Sequence, residues 1–267
     1  MLQVAQIQVA LWDQVYEYKV GDFRLALGDK VVVKTEWGTE IGRVTGLKEI
    51  PENKASAYGE NLPLIMRKTT TEDSEIMANL EKQRPEALEL CKKLVVKYEL
   101  PMKIVDAHFS FDGGRVIFPF IADGRVDFRQ LVKDLTHHFQ KSIRLQQIGI
   151  RDEAKITGDF GSCGRMLCCK THLKELASIT SEFAEIQQVA HRGSERLSGQ
   201  CGRLRCCLAF EGKAYQELVK TMPPIGSTIK TPQGKGEVIG WHTLKQTVDV
   251  ALNGDRNNRI EFSIKNE

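Results

Sequence analysis

The chain has little excess charge and no long apolar run. Its 38 lysine and arginine residues stand against 35 aspartate and glutamate residues, which leaves a net charge of only +3. This balance argues against a protein that holds nucleic acid by charge alone, so any contact with RNA or DNA must be local. No apolar stretch is long enough to span a bilayer, and residues 1–10 lack the basic start of a secretory signal. We therefore expect a cytoplasmic protein with no membrane partner.

Cysteine is scarce and unevenly placed. The chain has seven cysteines, and only Cys91 lies outside two short segments. An odd number of thiols in a reducing compartment argues against a disulfide framework. Both short segments carry the pattern G-x-C-G-R-x-x-C-C, at residues 161–169 and 199–207. Cys91 lies on an apolar helical stripe instead, where we expect it to pack in a core.

The repeated pattern supplies six thiols, and thiolates are ligands of zinc and of iron–sulfur clusters. Glycine lets the backbone turn sulfur atoms inward, and arginine offsets thiolate charge. We expect the central ligands to be Cys163, Cys168, Cys201 and Cys206. Cys169 and Cys207 are expected to complete a second site or to serve as shared ligands.

Three chemistries compete for this set of thiols. Structural zinc would take two ligands from the C-x4-C spacing of each motif, and Cys169 and Cys207 would then have no role in the site. An iron–sulfur cluster uses the extra sulfurs more naturally, and six thiolates suit one cluster with two spares or two clusters with two ligands missing. Thiol redox catalysis suits cysteines beside arginines, but the C-x-x-C of a thioredoxin-like frame is absent. His172 and His191 lie close enough in sequence to remain candidate ligands.

The spacing of apolar residues predicts an α+β fold. Residues 1–66 carry short strand-like runs at residues 15–19, 24–27, 30–34 and 40–44, which indicate a small barrel-like β module. Residues 67–157 follow the order α-β-β-α-β, typical of helices that cover one face of a mixed or antiparallel sheet. Within the first helical stretch, Pro85 is predicted to start a second helix after a break at Arg84.

The second half of the chain is predicted to combine the cysteine motifs with another β module. Residues 158–222 form the cysteine-rich metal-binding segment, with a helix over 171–189 between the two motifs. Residues 223–267 form a second small barrel-like β module after a proline-containing linker. Residues 226–238 weakly resemble residues 28–44, and the differences in length leave open whether this is a true repeat.

Residues 121–135 and 147–155, together with both cysteine motifs, closely resemble the bacterial PSP1 C-terminal domain family. The resemblance runs from about residue 15 to about residue 238. It implies a regulatory protein rather than an enzyme, which carries 4Fe–4S clusters and joins two small helical partners in the Ric complex. In Bacillus-type bacteria, that complex influences ribonuclease Y in messenger RNA maturation, and also sporulation, competence and biofilm formation. The alternatives are a zinc-stabilised, RNA-associated adaptor and a thiol oxidoreductase.

Overall fold

The computed structural model describes residues 2–51, 62–173, 178–252, 254–255 and 258–264. In these residues the chain forms three β-sheets and six α-helices, which confirms the predicted α+β class. It divides into two compact units, Met1–Asp159 (unit 1) and Phe160–Glu267 (unit 2). The finer division into four segments stays a prediction. None of the described helices is long and apolar enough to cross a membrane.

The first sheet of unit 1 has five antiparallel strands in the order β2-β1-β4-β3-β5. They are β1 (Leu2–Gln8), β2 (Val15–Lys19), β3 (Lys30–Thr35), β4 (Gly38–Ile50) and β5 (Arg67–Lys68). Alternate apolar side chains, among them Ile7, Tyr18 and Val33, form its core. In the described residues the sheet is not a closed barrel, because β2 meets the segment before β5 only through a single bridge between Lys19 and Leu64.

Sequence reasoning made two errors in this sheet. The strand predicted over 24–27 is wrong, because these residues have no strand pairing and Leu27 is 69% exposed. Strand β1 was missed, although Val4, Ala5 and Ile7 are all buried in it.

The second sheet of unit 1 is built around β8 (Arg115–Ile121). Strands β6 (Lys103–Ile104) and β7 (His108–Phe109) pair with it antiparallel, and β9 (Ser142–Gln147) pairs with it parallel. Helices α1 (Thr71–Lys97) and α2 (Arg129–Phe139) share one apolar core with this sheet, and α3 (Ile150–Thr157) follows β9. The mixed sheet is therefore confirmed, and the predicted α-β-β-α-β order holds except that the first predicted strand is split into β6 and β7.

The break predicted at Arg84 is wrong, because helix α1 runs through Pro85 as one helix of 27 residues. Proline removes one helical hydrogen bond and normally kinks a helix. Here tertiary contacts on both sides of Pro85 outweigh that loss. Arg84 donates from Nε to Asp106 Oδ1 at 2.7 Å, and Ala87 and Cys91 pack in the core.

Two hairpin tips meet inside unit 1. The backbone N–H of Thr39, in the β3–β4 hairpin, donates to Asp112 Oδ2 at 3.0 Å, in the β7–β8 turn. The Asp112 N–H donates back to the Thr39 carbonyl at 3.4 Å. Beside this contact, the Arg144 guanidinium lies 3.0 Å from the centre of the Trp37 ring. The β3–β4 hairpin is thereby held against the second sheet.

Unit 2 begins with the cysteine region and ends with a four-stranded sheet. Its helices are α4 (Glu182–Ile186), α5 (Ser194–Leu197) and α6 (Cys206–Val219), with a 3-10 turn at Ala190–Arg192. The long helix predicted over 171–189 is wrong in its described part, where only α4 is α-helical. Residues 174–177 of that prediction lie outside the described residues. The carbonyl of Cys168 instead turns the chain by accepting from the N–H of Leu173 at 2.8 Å.

The sheet of unit 2 is antiparallel, in the order β10-β11-β12-β13. Its strands are β10 (Thr228–Thr231), β11 (Gly234–His242), β12 (Thr247–Leu252) and β13 (Arg259–Ser263). Val238, Val248 and Val250 form its core, against which Ile260 and Phe262 pack.

The weak sequence similarity between the two β modules corresponds to shared backbone geometry. In the first, Gly28 N–H donates to the Val44 carbonyl at 2.8 Å, and Val44 N–H donates to the Asp29 carbonyl at 2.8 Å. In the second, Gly226 and Ser227 make the same two bonds with Val238, at 2.8 and 2.9 Å. Gly28 and Gly226 both have positive φ, 93° and 87°. The two hairpins are therefore copies of one local structure.

Candidate metal centre

The first cysteine motif forms a tight loop closed by backbone hydrogen bonds. Gly161 N–H donates to the Arg165 carbonyl at 2.8 Å, and Gly164 N–H donates to the Gly161 carbonyl at 2.9 Å. Phe160 and Met166 pair as an isolated antiparallel bridge at its base. Gly164 has a φ of 77°, a conformation that residues with a Cβ rarely adopt. The glycine before the arginine is thus required by the turn.

The second motif repeats this loop bond for bond. Gly199 N–H donates to the Arg203 carbonyl at 2.8 Å, and Gly202 N–H donates to the Gly199 carbonyl at 3.0 Å. Ser198 and Leu204 form the matching bridge, and Gly202 has a φ of 73°. The repeated sequence pattern therefore encodes a repeated backbone loop.

Both loops place their first cysteine sulfur over their first glycine. A Cβ added at Gly161 would lie 3.6 Å from the Sγ of Cys163, and one added at Gly199 would lie 3.8 Å from the Sγ of Cys201. The equivalent sulfur atoms thus have the same position relative to their loops.

The chain leaves the two loops differently. After the first loop, Cys168 begins a turn in which its carbonyl accepts the N–H groups of Thr171 and Leu173. After the second, Cys206 is the first residue of helix α6. The N-terminal turn of a helix favours negative charge, and Cys206 and Cys207 both lie in that turn.

Aromatic contacts bring the exit of the first loop to helix α6. The ring of His172 lies 5.5 Å from that of Phe210, one turn into α6. On the same helix, a Cβ at Gly212 would come within 2.5 Å of the Phe183 ring, so α4 packs closely against this glycine. Gln187 Nε2 donates to the Leu208 carbonyl at 2.6 Å and fixes the same pair of helices.

The thiols of the two motifs interact electrostatically. Burial raises the pKa of Cys168 above its ordinary value, and the thiolates of Cys206 and Cys163 raise it further, against the opposing charge of Arg165. Burial also raises the pKa of Cys207, followed by the charges of Glu211 and Cys168, against Arg205. A thiol of the first motif therefore lies within electrostatic range of two thiols of the second. Negative charge is costly here unless a cation compensates it.

The cysteines differ in exposure. Cys163 is exposed, Cys168, Cys201, Cys206 and Cys207 are half-buried, and Cys169 is buried at 7% exposure. Within the described ranges, no three His, Cys, Asp or Glu side chains meet in a group able to hold a metal ion. The ligand set of six cysteines therefore stays a prediction. Among these residues, Cys168 interacts electrostatically with Cys163, Cys206 and Cys207.

The remaining candidates have other surroundings. Cys91 lies fully buried in the apolar core of unit 1, where burial raises its pKa to about 12. His172 contacts Phe210 and the Thr171 hydroxyl, and His191 lies exposed in the 3-10 turn. Sequence reasoning missed Phe210, which contacts His172 just after the first motif, and Gly212, where helices α4 and α6 approach closely. A glycine within a helical pattern was the available signal for that close approach.

Comparison with known proteins places these features in a family. The family model of the PSP1 C-terminal conserved region matches residues 63–148, and that of the third domain of PSP1-like proteins matches residues 178–222. The chain is 36% identical over 254 residues to Stage 0 sporulation protein YaaT of Bacillus subtilis, which covers 94% of this chain and 90% of that protein. It is 24% identical over 137 residues to an uncharacterized protein of Schizosaccharomyces pombe, covering 42% of this chain and 18% of that protein. No solved structure matches the chain.

Proposed function

This chain belongs to the PSP1 family of YaaT-like sporulation proteins, and we propose that it is a cytoplasmic regulatory adaptor whose six motif cysteines bind an iron–sulfur cluster. The observation that carries the proposal is the pair of matching glycine–cysteine loops, whose exits converge on helix α6. A loop geometry that is repeated around cysteines in both motifs supports a ligand role for these thiols.

The donor set suits an iron–sulfur cluster. Thiolates are the protein ligands of such clusters, and the motif arginines Arg165 and Arg205 oppose the negative charge of neighbouring thiols. A bound cluster would supply one-electron redox chemistry and would cross-link the two loops. We assign no catalytic residue, because the role proposed is regulatory and not enzymatic.

The number of motif thiols indicates that partner proteins supply further cluster ligands. Two four-cysteine clusters need eight thiolates, and the two motifs supply six. We propose that two small helical subunits of a Ric-like complex supply the rest, and that the complex acts on ribonuclease Y in messenger RNA processing during sporulation. The isolated chain should then hold less iron than the complex.

The raised pKa values of Cys168 and Cys207 weigh against a thiol oxidoreductase. A reactive cysteine needs a lowered pKa so that its thiolate is populated near neutral pH. Burial and neighbouring negative charge act in the opposite direction at both residues. Zinc remains the rival metal, because its structural sites are also built from thiolates.

Anaerobic purification of the full chain tests the proposal. We expect a brown protein with equimolar iron and acid-labile sulfide and a cluster signal in electron paramagnetic resonance after reduction. Cys206→Ser should lose most of the iron, and iron per chain should rise when the helical partners are co-expressed. Colourless protein with stoichiometric zinc would contradict the cluster, and metal-free protein that oxidises a dithiol substrate would support the oxidoreductase instead.

Cys91→Ala is the matched control for the ligand variants. It removes a thiol from a packed apolar core, so we expect full iron content and a loss of roughly 1 kcal/mol in the free energy of unfolding. Loss of iron in this variant, with the fold retained, would contradict the assignment of Cys91 to the core.

A further inference from the structure

Helix α6 connects the cysteine region of unit 2 to the β-sheet of the same unit. Its first two residues, Cys206 and Cys207, belong to the second cysteine motif, and it ends at Val219 after 14 residues. At 1.5 Å per residue, the helix spans about 21 Å. A regular helix of this length moves as one body, so a displacement of its N-terminal end also displaces its C-terminal end.

The C-terminal end of α6 is built into the sheet. Met222, three residues after the helix, lies buried in the core of the sheet with Val238 and Val250. The indole N–H of Trp241 donates to the Pro223 carbonyl at 2.8 Å. The end of the helix therefore cannot shift without disturbing the sheet.

One side chain of the β11–β12 turn, Gln246, bonds directly to this end of the helix. The Thr221 hydroxyl lies 2.8 Å from Gln246 Oε1 and 2.8 Å from the Leu218 carbonyl. Gln246 Nε2 donates to the Leu218 carbonyl at 3.4 Å and, within the turn, to the Thr243 carbonyl at 2.6 Å. The Gln246 amide thus links the turn to the last residues of α6.

The backbone of this turn is in an unfavourable conformation. Gln246 has a φ of 57°, and of the four non-glycine residues with positive φ in the described chain it alone is buried. A residue with a Cβ is strained in this region and persists there where surrounding contacts fix it. The buried hydroxyl of Thr243 also has no hydrogen-bond partner among the described residues. The contacts from α6 therefore help to hold a turn that is unfavourable on its own.

The N-terminal half of α6 packs against a short element. A Cβ at Gly212 would come within 2.5 Å of the Phe183 ring, and Gln187 Nε2 donates to the Leu208 carbonyl at 2.6 Å. Phe183 belongs to α4, which has five residues, and Gln187 caps it. A metal bound through the cysteines of the first turn of α6 would add a second anchor at this end.

We propose that α6 transmits the state of the metal centre to the β11–β12 turn, residues 243–246. Metal at the N-terminal end fixes the helix, and the fixed helix holds Gln246 in its strained conformation. Loss of metal loosens both. The metal is the one assigned to the cysteine motifs above, so this role rests on the proposed function. Leu244, 68% exposed at the tip of the turn, is then presented in one conformation in the metal-bound chain. The adaptor thereby gains a second surface that depends on its metal.

Hydrogen exchange of the full, anaerobically purified chain tests this transmission, with mass spectrometry as the readout. The amides to follow are those of residues 243–246 and of Ile264, whose N–H donates to the Gln246 carbonyl at 3.0 Å. Thr221→Val removes the hydroxyl beside Gln246 Oε1. Thr228→Val, at an exposed position of β10, is the matched control.

Two further variants disturb α6 without altering a cysteine. Gly212→Ala forces a Cβ against the Phe183 ring. Gln187→Ala is the milder change, because it removes only the bond to the Leu208 carbonyl, and it replaces Gly212→Ala if that variant does not fold. Both act on the N-terminal half of the helix, far from the turn in sequence.

We expect removal of iron by a chelator to raise exchange at residues 243–246 about tenfold, while residues 228–231 in β10 keep their rate. Thr221→Val should raise exchange at the turn with metal present, and Thr228→Val should not. Gly212→Ala and Gln187→Ala should raise it in the protein as purified.

Unchanged exchange at the turn after iron removal would overturn the proposal. So would unchanged exchange at the turn in a Gly212→Ala or Gln187→Ala protein whose residues 206–212 exchange faster. Iron analysis of the same samples separates this result from the proposed function. A chain without metal in which these variants still raise exchange at the turn would contradict the metal centre and support the mechanical link alone.

Discussion

Unit 1 and the cysteine region of unit 2 differ in how much apolar surface they bury. The two clusters of unit 1 contain eleven and eight buried core residues. Within the described part of residues 160–219, only Leu167, Cys169, Ala184 and Leu208 are buried and apolar. The described part of the cysteine region therefore buries far less apolar surface than either core of unit 1.

This difference explains how the chain uses cysteine. Small regions without a sufficient core need another source of stability, and metal binding is a common one because its free energy adds to folding. Cys91, in the well-packed unit, behaves as a small apolar residue. If the six other thiols bind a metal as proposed, that metal would add stability where the described core is small.

Metal removal should have the largest effect on stability. It should destabilise the cysteine region and leave unit 1 unchanged. Structural zinc sites contribute about 10 kcal/mol to folding, more than the burial of four apolar side chains provides, and we expect the proposed metal to have a comparable effect. We expect stripped protein to lose hydrogen-exchange protection over residues 160–219, while helix α1 in unit 1 keeps its protection. Equal hydrogen-exchange protection of residues 160–219 with and without metal would contradict the view that this region depends on metal for its order.

Phe118→Ala should produce the opposite pattern. Phe118 is fully buried between the sheet and helices of unit 1, so its loss should lower the free energy of unfolding of that unit by about 3–5 kcal/mol. Iron per folded chain should not change. Val96→Ala is the control, because the Val96 side chain is 76% exposed on helix α1 and its truncation should cost well under 1 kcal/mol of global stability. Thermal unfolding followed by circular dichroism, with iron analysis, measures both.

Gly164→Ala and Gly202→Ala test whether the two loops are equivalent. Both glycines have positive φ, so each substitution should strain the backbone by about 1–2 kcal/mol. We expect a similar loss of metal affinity from each, measured by competition with a chelator. Gly124→Ala is the control, since a Cβ there meets nothing within 4 Å and its φ is not in the left-handed region. A loss confined to one loop would show that the loops contribute unequally.

Asp112→Asn should have the smallest effect, and it is pH-dependent. Burial alone would raise the pKa of Asp112, but the hydrogen bonds from Ser110 and from the N–H groups of Thr39 and Gly114 lower it overall below its ordinary value of 3.8. The carboxylate thus stabilises the fold above that value and stops doing so as the pH falls through the lowered pKa. We expect a loss of about 0.5–1 kcal/mol at pH 7 that shrinks below pH 3.8. If the loss in the free energy of unfolding caused by Asp112→Asn grew as the pH fell, the predicted direction of the pH dependence would be wrong.

Local patterns predicted most of unit 1 and failed where tertiary contacts compete with them. The alternation of residues 15–19 and 30–34 and the Asp112 turn were sufficient for their strands and hairpin. In the local sequence, Pro85 indicates the start of a helix. Helix α1 is nevertheless continuous, because Ala87 and Cys91 pack in the core and Arg84 forms an ion pair. The helix predicted over 171–189 failed because the Cys168 carbonyl turns the chain before a helix begins.

The amino-acid sequence by itself determined the number and spacing of the thiols, and the glycines at positions 164 and 202 determined the turn that each cysteine loop makes, because only glycine readily adopts that φ. It also determined the two matching β hairpins. Only the tertiary structure decided that the first loop's exit meets helix α6, through His172 and Phe210, and that one hairpin tip is docked while the other is exposed. Those outcomes depend on contacts between residues far apart in the chain, which no local periodicity encodes.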